Sequence, residues 1–102
     1  MYRISVYGTP MIKTFAGKDT ESLFQGARAR RFANIEGPAR RKLEYLDAAV
    51  VLDDLRAPPG NRLEALKGDR AGQHSIRVND QFRIRFRWKD GDAYEVEITD
   101  YH

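Results

Sequence analysis

The chain has 102 residues, 41% of them hydrophobic, with no cysteine and two histidines; this fits one compact domain and excludes disulfides and thiolate metal sites. Lys plus Arg number 18 against 15 Asp plus Glu, a net charge of +3, too small by itself to imply nucleic acid, so the clustering of charge must decide. No apolar run is long enough to span a membrane and no apolar h-region follows the amino terminus, which predicts a cytoplasmic protein without a membrane partner.

Residues 1–10, "MYRISVYGTP", end in a Gly-Thr-Pro turn signal. Met11 reads as the functional start. Residues 1–10 are then an upstream extension or a cloning remnant, or else an extra edge strand, and residues 11–102 form the single domain. "MIKTF" from Met11 reads as a strand. Asp19 suits the N-cap of a helix through "TESLFQG", which Gly26 would close. "ARARRF" is a basic connection or the start of the next helix. "GPARRKLEYLDAAVVLDDLR" is the clearest helix, with Pro38 suited to a first helical position. Ala39, Leu43, Leu46 and Val50 make one apolar stripe along it, and "APPGN" ends it.

Beyond Asn61 the apolar period changes from helical to two. Strands are predicted near 62–67, 73–78, 82–88 and 94–100, with turns at "GDRAG", "ND" and "DGD". The fold class is therefore α+β: an amino-terminal strand and helices packed on one face of a mainly antiparallel sheet of four to five strands. The other face is left open for chemistry.

In "FRIRFRW" Phe82, Ile84, Phe86 and Trp88 face the core, while Arg83, Arg85 and Arg87 face the open side. In the last strand Tyr94, Val96 and Ile98 are assigned to the core, with Glu95, Glu97 and Thr99 opposite. Parity then demands a three-residue connection at 90–92 in place of a two-residue turn at Asp90-Gly91. It pairs Arg87 with Glu95, Arg85 with Glu97 and Arg83 with Thr99. Arg83 is thus left without a carboxylate, beside Arg77 on the preceding strand and diagonal to Tyr101. Two uncompensated guanidinium groups suit an anionic ligand such as phosphate. Lys67 and Arg70 flank the "GDRAG" loop and either extend this patch or belong to a solvated turn. The loop lacks the Gly-Lys-Ser/Thr ending of a Walker-type phosphate loop. His74 falls in phase with Ile76 and Val78, a structural position. His102, beside Tyr101 and the arginines, reads as a proton-transfer group, its ring pKa raised by the terminal carboxylate. No metal or cofactor is expected.

"LKGDRAGQHSIRVNDQFRIRF" with "EITDYH", supported by "MIKTF" and "LDDLRAPPGNRLEAL", resembles the HigB branch of the RelE/ParE toxin superfamily over residues 11–102. The resemblance implies a RelE-like fold and the toxin of a bacterial type II toxin–antitoxin pair. It implies a ribosome-dependent mRNA endonuclease that needs no metal, in which the 2′-OH attacks the adjacent phosphate. Partners implied are the ribosome and mRNA, a HigA-like helix-turn-helix antitoxin, and operator DNA bound through the antitoxin complex. The family's catalytic positions fall on Lys67, Arg83, Tyr101 and His102, with Arg70 and Arg77 as RNA-binding support. Some members carry a histidine three residues before the lysine of "KG". Here Glu64 stands in its place, either as a replacement base or as a surface strand residue. Two other readings stay open: a ParE-like inhibitor of DNA gyrase without nuclease activity, and an RNA-binding module without chemistry.

Overall fold

Period-two alternation in the carboxy-terminal half builds a four-stranded antiparallel sheet, in a computed structural model that describes residues 11–100. The expectations placed on residues 1–10, Tyr101 and His102 lie outside the described residues. The strands are β1 (Glu64–Ala65), β2 (Gln73–Arg77), β3 (Phe82–Lys89) and β4 (Asp92–Asp100), neighbours in that order. Helices α1 (Lys18–Phe24) and α2 (Glu36–Ala48) precede them, linked by a 3₁₀ stretch at Arg30–Ile35. Leu23, Phe32, Ile35, Ala39, Leu43, Leu46 and Leu55 form one buried cluster with Ile76, Ile84, Phe86, Val96 and Ile98 of the sheet. The fold is α+β, with helices packed against the sheet as the patterning requires.

"MIKTF" does extend the sheet, as a parallel strip along β4. Ile12 bridges Ala93 and Phe15 bridges Val96. The amide of Lys13 donates to the Ala93 carbonyl at 2.8 Å, and that of Val96 to Thr14 at 3.1 Å. Asp47, on the buried side of α2, anchors the strip: its Oδ1 accepts the amides of Met11 (3.1 Å) and Ile12 (3.2 Å).

Three boundaries differ from the expectations. First, the N-cap of α1 is Gly17, and Asp19 lies inside the first turn, where its charge still favours the helix dipole. Gly26, at φ 95°, closes α1 as predicted: its amide and that of Ala27 reach back to Leu23 and Ser22 in a Schellman arrangement. Second, α2 stops at Ala48, so Val50 leaves the stripe and is 66% exposed. The cause is Asp54, whose Oδ2 takes the amides of Val50 (2.9 Å) and Val51 (3.2 Å) and starts a separate 3₁₀ turn at Leu52–Arg56. A side chain competing for backbone donors ends a helix that periodicity alone would continue.

Third, Lys89 pairs with Asp92, so Asp90 and Gly91 do form a two-residue turn, with φ of 53° and 83°. Positive φ at both positions is the type I′ geometry that suits a right-twisted hairpin. Parity is restored by a bulge at Glu95, whose φ is 54°, between the pairs Arg85–Glu97 and Arg87–Tyr94. Tyr94 is consequently on the open face across from Arg87, and buried Ala93 takes the core position beside Trp88.

Lys42, half-buried on α2, donates to Asn61 Oδ1 and lies 5.5 Å from the Tyr45 ring centre. Burial lowers its pKa from 10.5, with Arg41 and Arg77 adding repulsion. The folded chain therefore holds this proton less tightly than the unfolded chain. The Lys42 contribution to stability rises as pH climbs through the lowered pKa and levels off above 10.5. Urea unfolding at a series of pH values should show wild type gaining on Lys42→Met across that window. A pH-independent difference would contradict this assignment.

Candidate active site

The open face of the sheet carries a cleft of about 470 Å³ lined by Arg31, Arg70, Ser75, Arg83 and Arg85, with Glu97 and Asp100 on its wall. Arg83 forms the floor and is only 7% exposed. Its predicted partner Thr99 and its neighbour Arg77 are confirmed by the register. The expectation of two uncompensated guanidinium groups is corrected. Arg83 Nε donates to Ser75 Oγ at 2.7 Å, Nη2 donates to the Arg62 carbonyl at 2.7 Å, and Glu64 Oε1 is 3.8 Å away. Arg77 forms an ion pair with Asp80. A buried guanidinium without acceptors would be costly, and long-range contacts supply what the facing threonine does not.

The Arg62 acceptor is built by its own loop. Asn61 is fully buried, and its Nδ2 donates to the carbonyls of Leu55 and Ala57, each at 3.2 Å. The next residue, Arg62, lies in the left-handed region at φ 47° and ψ 56°. That conformation costs a non-glycine residue about 1–2 kcal/mol, and here it turns a carbonyl onto Arg83. Strain of this kind clusters where a group must be held in place.

The remaining candidates divide. Arg70 lines the cleft. Lys67 is exposed at the start of the same loop, outside the cleft lining. Arg77 and Glu64, with Arg62, border an adjoining depression that shares Arg83 with the cleft. Glu64 sits on β1 opposite Ser75, close enough to Arg83 to reach the same ligand. Tyr101 and His102 lie outside the described residues. His74 keeps its structural assignment: it is half-buried and its ring stacks on Phe86 at 6.2 Å.

Sequence reasoning missed three contributors. Arg31 lies in the basic "ARARRF" connection, yet it lines the cleft, its guanidinium 5.2 Å from the Phe32 ring centre. Ser75 carries no charge and gives no signal until β2 is aligned with β3. The expected Arg85–Glu97 ion pair exists, and both residues also face the cleft. The alternation of "FRIRFRW" already contained the Arg85 signal. Among the described residues, no three His, Cys, Asp or Glu side chains converge as metal ligands, and no helix is long and apolar enough to cross a membrane.

A cleft with several guanidinium groups and a nearby carboxylate can neutralise a phosphate and place a proton acceptor beside it. Residues 13–102 match the HigB-like toxin family, described as the RelE-like toxin of type II toxin–antitoxin system HigB. Toxin HigB-1 of Vibrio cholerae serotype O1 is 46% identical over 90 residues, covering 86% of this chain and 95% of that protein. The Endoribonuclease HigB of Proteus vulgaris is 36% identical over 93 residues, covering 90% of this chain and 100% of that protein. With so much of the chain matched, from the strip along β4 through the cleft, it belongs to the HigB-like family of RelE-like toxins of type II toxin–antitoxin systems.

Proposed function

We propose that this toxin is an endoribonuclease that cuts mRNA on the ribosome and so arrests translation. The observation that carries the reading is Arg83, a buried guanidinium held by fixed acceptors at the floor of an arginine-lined cleft. A preorganised cation in a dry setting stabilises charge that develops on phosphorus oxygens better than a mobile surface lysine would. The likeness to an endoribonuclease from Proteus vulgaris supports the same chemistry.

In this reading the 2′-OH of one nucleotide attacks the adjacent phosphate. A 2′,3′-cyclic phosphate forms and the 5′-oxygen of the next nucleotide leaves with a proton. Arg83 and Arg70 neutralise the phosphorane. Lys67, at the start of the loop, adds its charge to theirs. Glu64 or His102 takes the 2′-OH proton, and the other of the two, with Tyr101, protonates the leaving oxygen. No metal enters the scheme. The partners are the ribosome and mRNA, a HigA-like antitoxin, and operator DNA reached through the antitoxin complex, all in the cytoplasm.

Mapping mRNA 5′ ends in translating ribosomes tests this directly. New ends should appear with the toxin, and their rate of formation should fall about 10²–10⁴-fold on deleting His102, the usual contribution of general acid–base catalysis. The same deletion should leave the thermal unfolding midpoint unchanged. Translation arrest without new ends would favour a binding inhibitor, and gyrase inhibition in its place would favour the ParE-like reading.

A further inference from the structure

The row of cations on β3 continues past the cleft. Arg83, Arg85, Arg87 and Lys89 recur every second residue, so the row runs about 20 Å along the open face. At its far end Thr14, Arg87, Lys89, Tyr94 and Glu95 line a second depression of about 400 Å³. None of these residues belongs to the cleavage cleft, and the Arg85–Glu97 ion pair stands between the two.

The bulge creates this depression. In a regular ladder Tyr94 would point into the core. The extra residue at Glu95 instead sets Tyr94 across from Arg87, half-buried with an aromatic surface turned to the open side. The bulge is held in place: the Glu95 amide donates to Thr14 Oγ1 at 2.7 Å. Gly72 leaves room for Arg87, since a Cβ there would come within 3.1 Å of Arg87 Nη1. Acidic groups are also present. Glu95 Oε1 accepts from Arg87 Nε at 3.3 Å, and Asp92 stands opposite Lys89 in the register. The Arg87 and Glu95 side chains are 44% and 56% exposed. An exposed pair of this kind is weak, so a polyanion can take Arg87 from Glu95 at small cost.

An aromatic face beside two cations, in line with a row of arginines, is the recognition set for single-stranded nucleic acid. An acidic polypeptide would use the cations and leave the ring idle. We infer that the Tyr94 depression is a nucleotide subsite, stacking one base of the RNA strand on Tyr94 while Arg87 and Lys89 hold flanking phosphates. The inference rests on the reading of the Arg83 cleft as the place where RNA is cut.

The test is fluorescence anisotropy with a labelled, uncleavable 2′-O-methyl nonanucleotide at low salt. Tyr94→Ala should weaken binding about 5- to 150-fold, the range for one stacked base, and Tyr94→Phe should restore it. Replacing both Arg87 and Lys89 by glutamine, at exposed positions that leave the core intact, should lower the slope of log affinity against log salt by about 1.4. In mRNA cleavage on ribosomes Tyr94→Ala should raise KM and spare kcat. Wild-type affinity in Tyr94→Ala, or an unchanged salt slope in the double variant, overturns the subsite alone. No RNA binding by the wild type also overturns it. The cleavage reading falls with it only if ribosome-bound mRNA stays intact as well.

Discussion

Replacing Arg83 by alanine should lower the rate of mRNA cleavage by about 10²–10³-fold or more, the loss typical of removing one preorganised donor from a developing anion. The effect is large because Arg83 is 7% exposed and its charge acts in a poorly screened setting. The same substitution strips a donor from Ser75 Oγ, from the Arg62 carbonyl and from the neighbourhood of Glu64. A stability loss of about 1–3 kcal/mol is therefore expected alongside it. Arg83→Lys separates the two effects. Lysine keeps the charge but lacks the planar fork that spans Ser75 and Arg62 while facing the cleft. It should fold and still cut at least about 10-fold more slowly. Ser75→Ala should fall between wild type and Arg83→Lys, since it loosens the guanidinium and leaves it present. Cleavage rates and unfolding midpoints measured on the same preparations decide the matter. A folded Arg83→Ala that cuts at the wild-type rate would remove the floor from the proposed site.

What could be read in advance follows the range of each interaction. The facing of Arg83 and Thr99, and of Arg85 and Glu97, came from alternation along two strands and is found in the register. The same reasoning excluded the Asp90-Gly91 turn, because strict parity allows no odd residue. One residue at positive φ, Glu95, absorbs the discrepancy. Nothing in the side chain of a glutamate announces that conformation, whereas Asp-Gly is itself a type I′ signal, and here the turn prevails over parity. The α2 boundary is set by a similar local effect. Val50 continues the stripe by spacing, but the Asp54 carboxylate takes its amide. The acceptors of Arg83 illustrate the outer limit. Arg62 is 21 residues away and Ser75 is 8 residues away, so only the folded sheet shows that this arginine is satisfied while it faces the cleft.

Asp47→Ala should cost about 2–4 kcal/mol, since it removes a buried carboxylate that accepts two backbone amides and leaves those donors without it. For a domain of this size that is a fall in unfolding midpoint of about 8–32 °C. Asp47→Asn keeps an acceptor oxygen and should lose less than half as much. The loss should be local in origin. Hydrogen exchange should accelerate first at Lys13, Ala93 and Val96, whose amides join the amino-terminal strip to β4, and last at Ile76 and Ile84 in the centre of the core. The strip also bears on chemistry. It carries Thr14, which holds the Glu95 bulge, and it leads into Gly17, where an added Cβ would lie 3.1 Å from Glu97 Cγ. Glu97 in turn pairs with Arg85 on the cleft wall. Releasing the strip therefore loosens both the cleft and the Tyr94 depression. At a temperature where Asp47→Ala remains folded, cleavage should still be weakened, mainly through KM. If exchange at Ala93 and Val96 matched wild type, Asp47 would be an ordinary buried acid and the strip would owe its place to β4 alone.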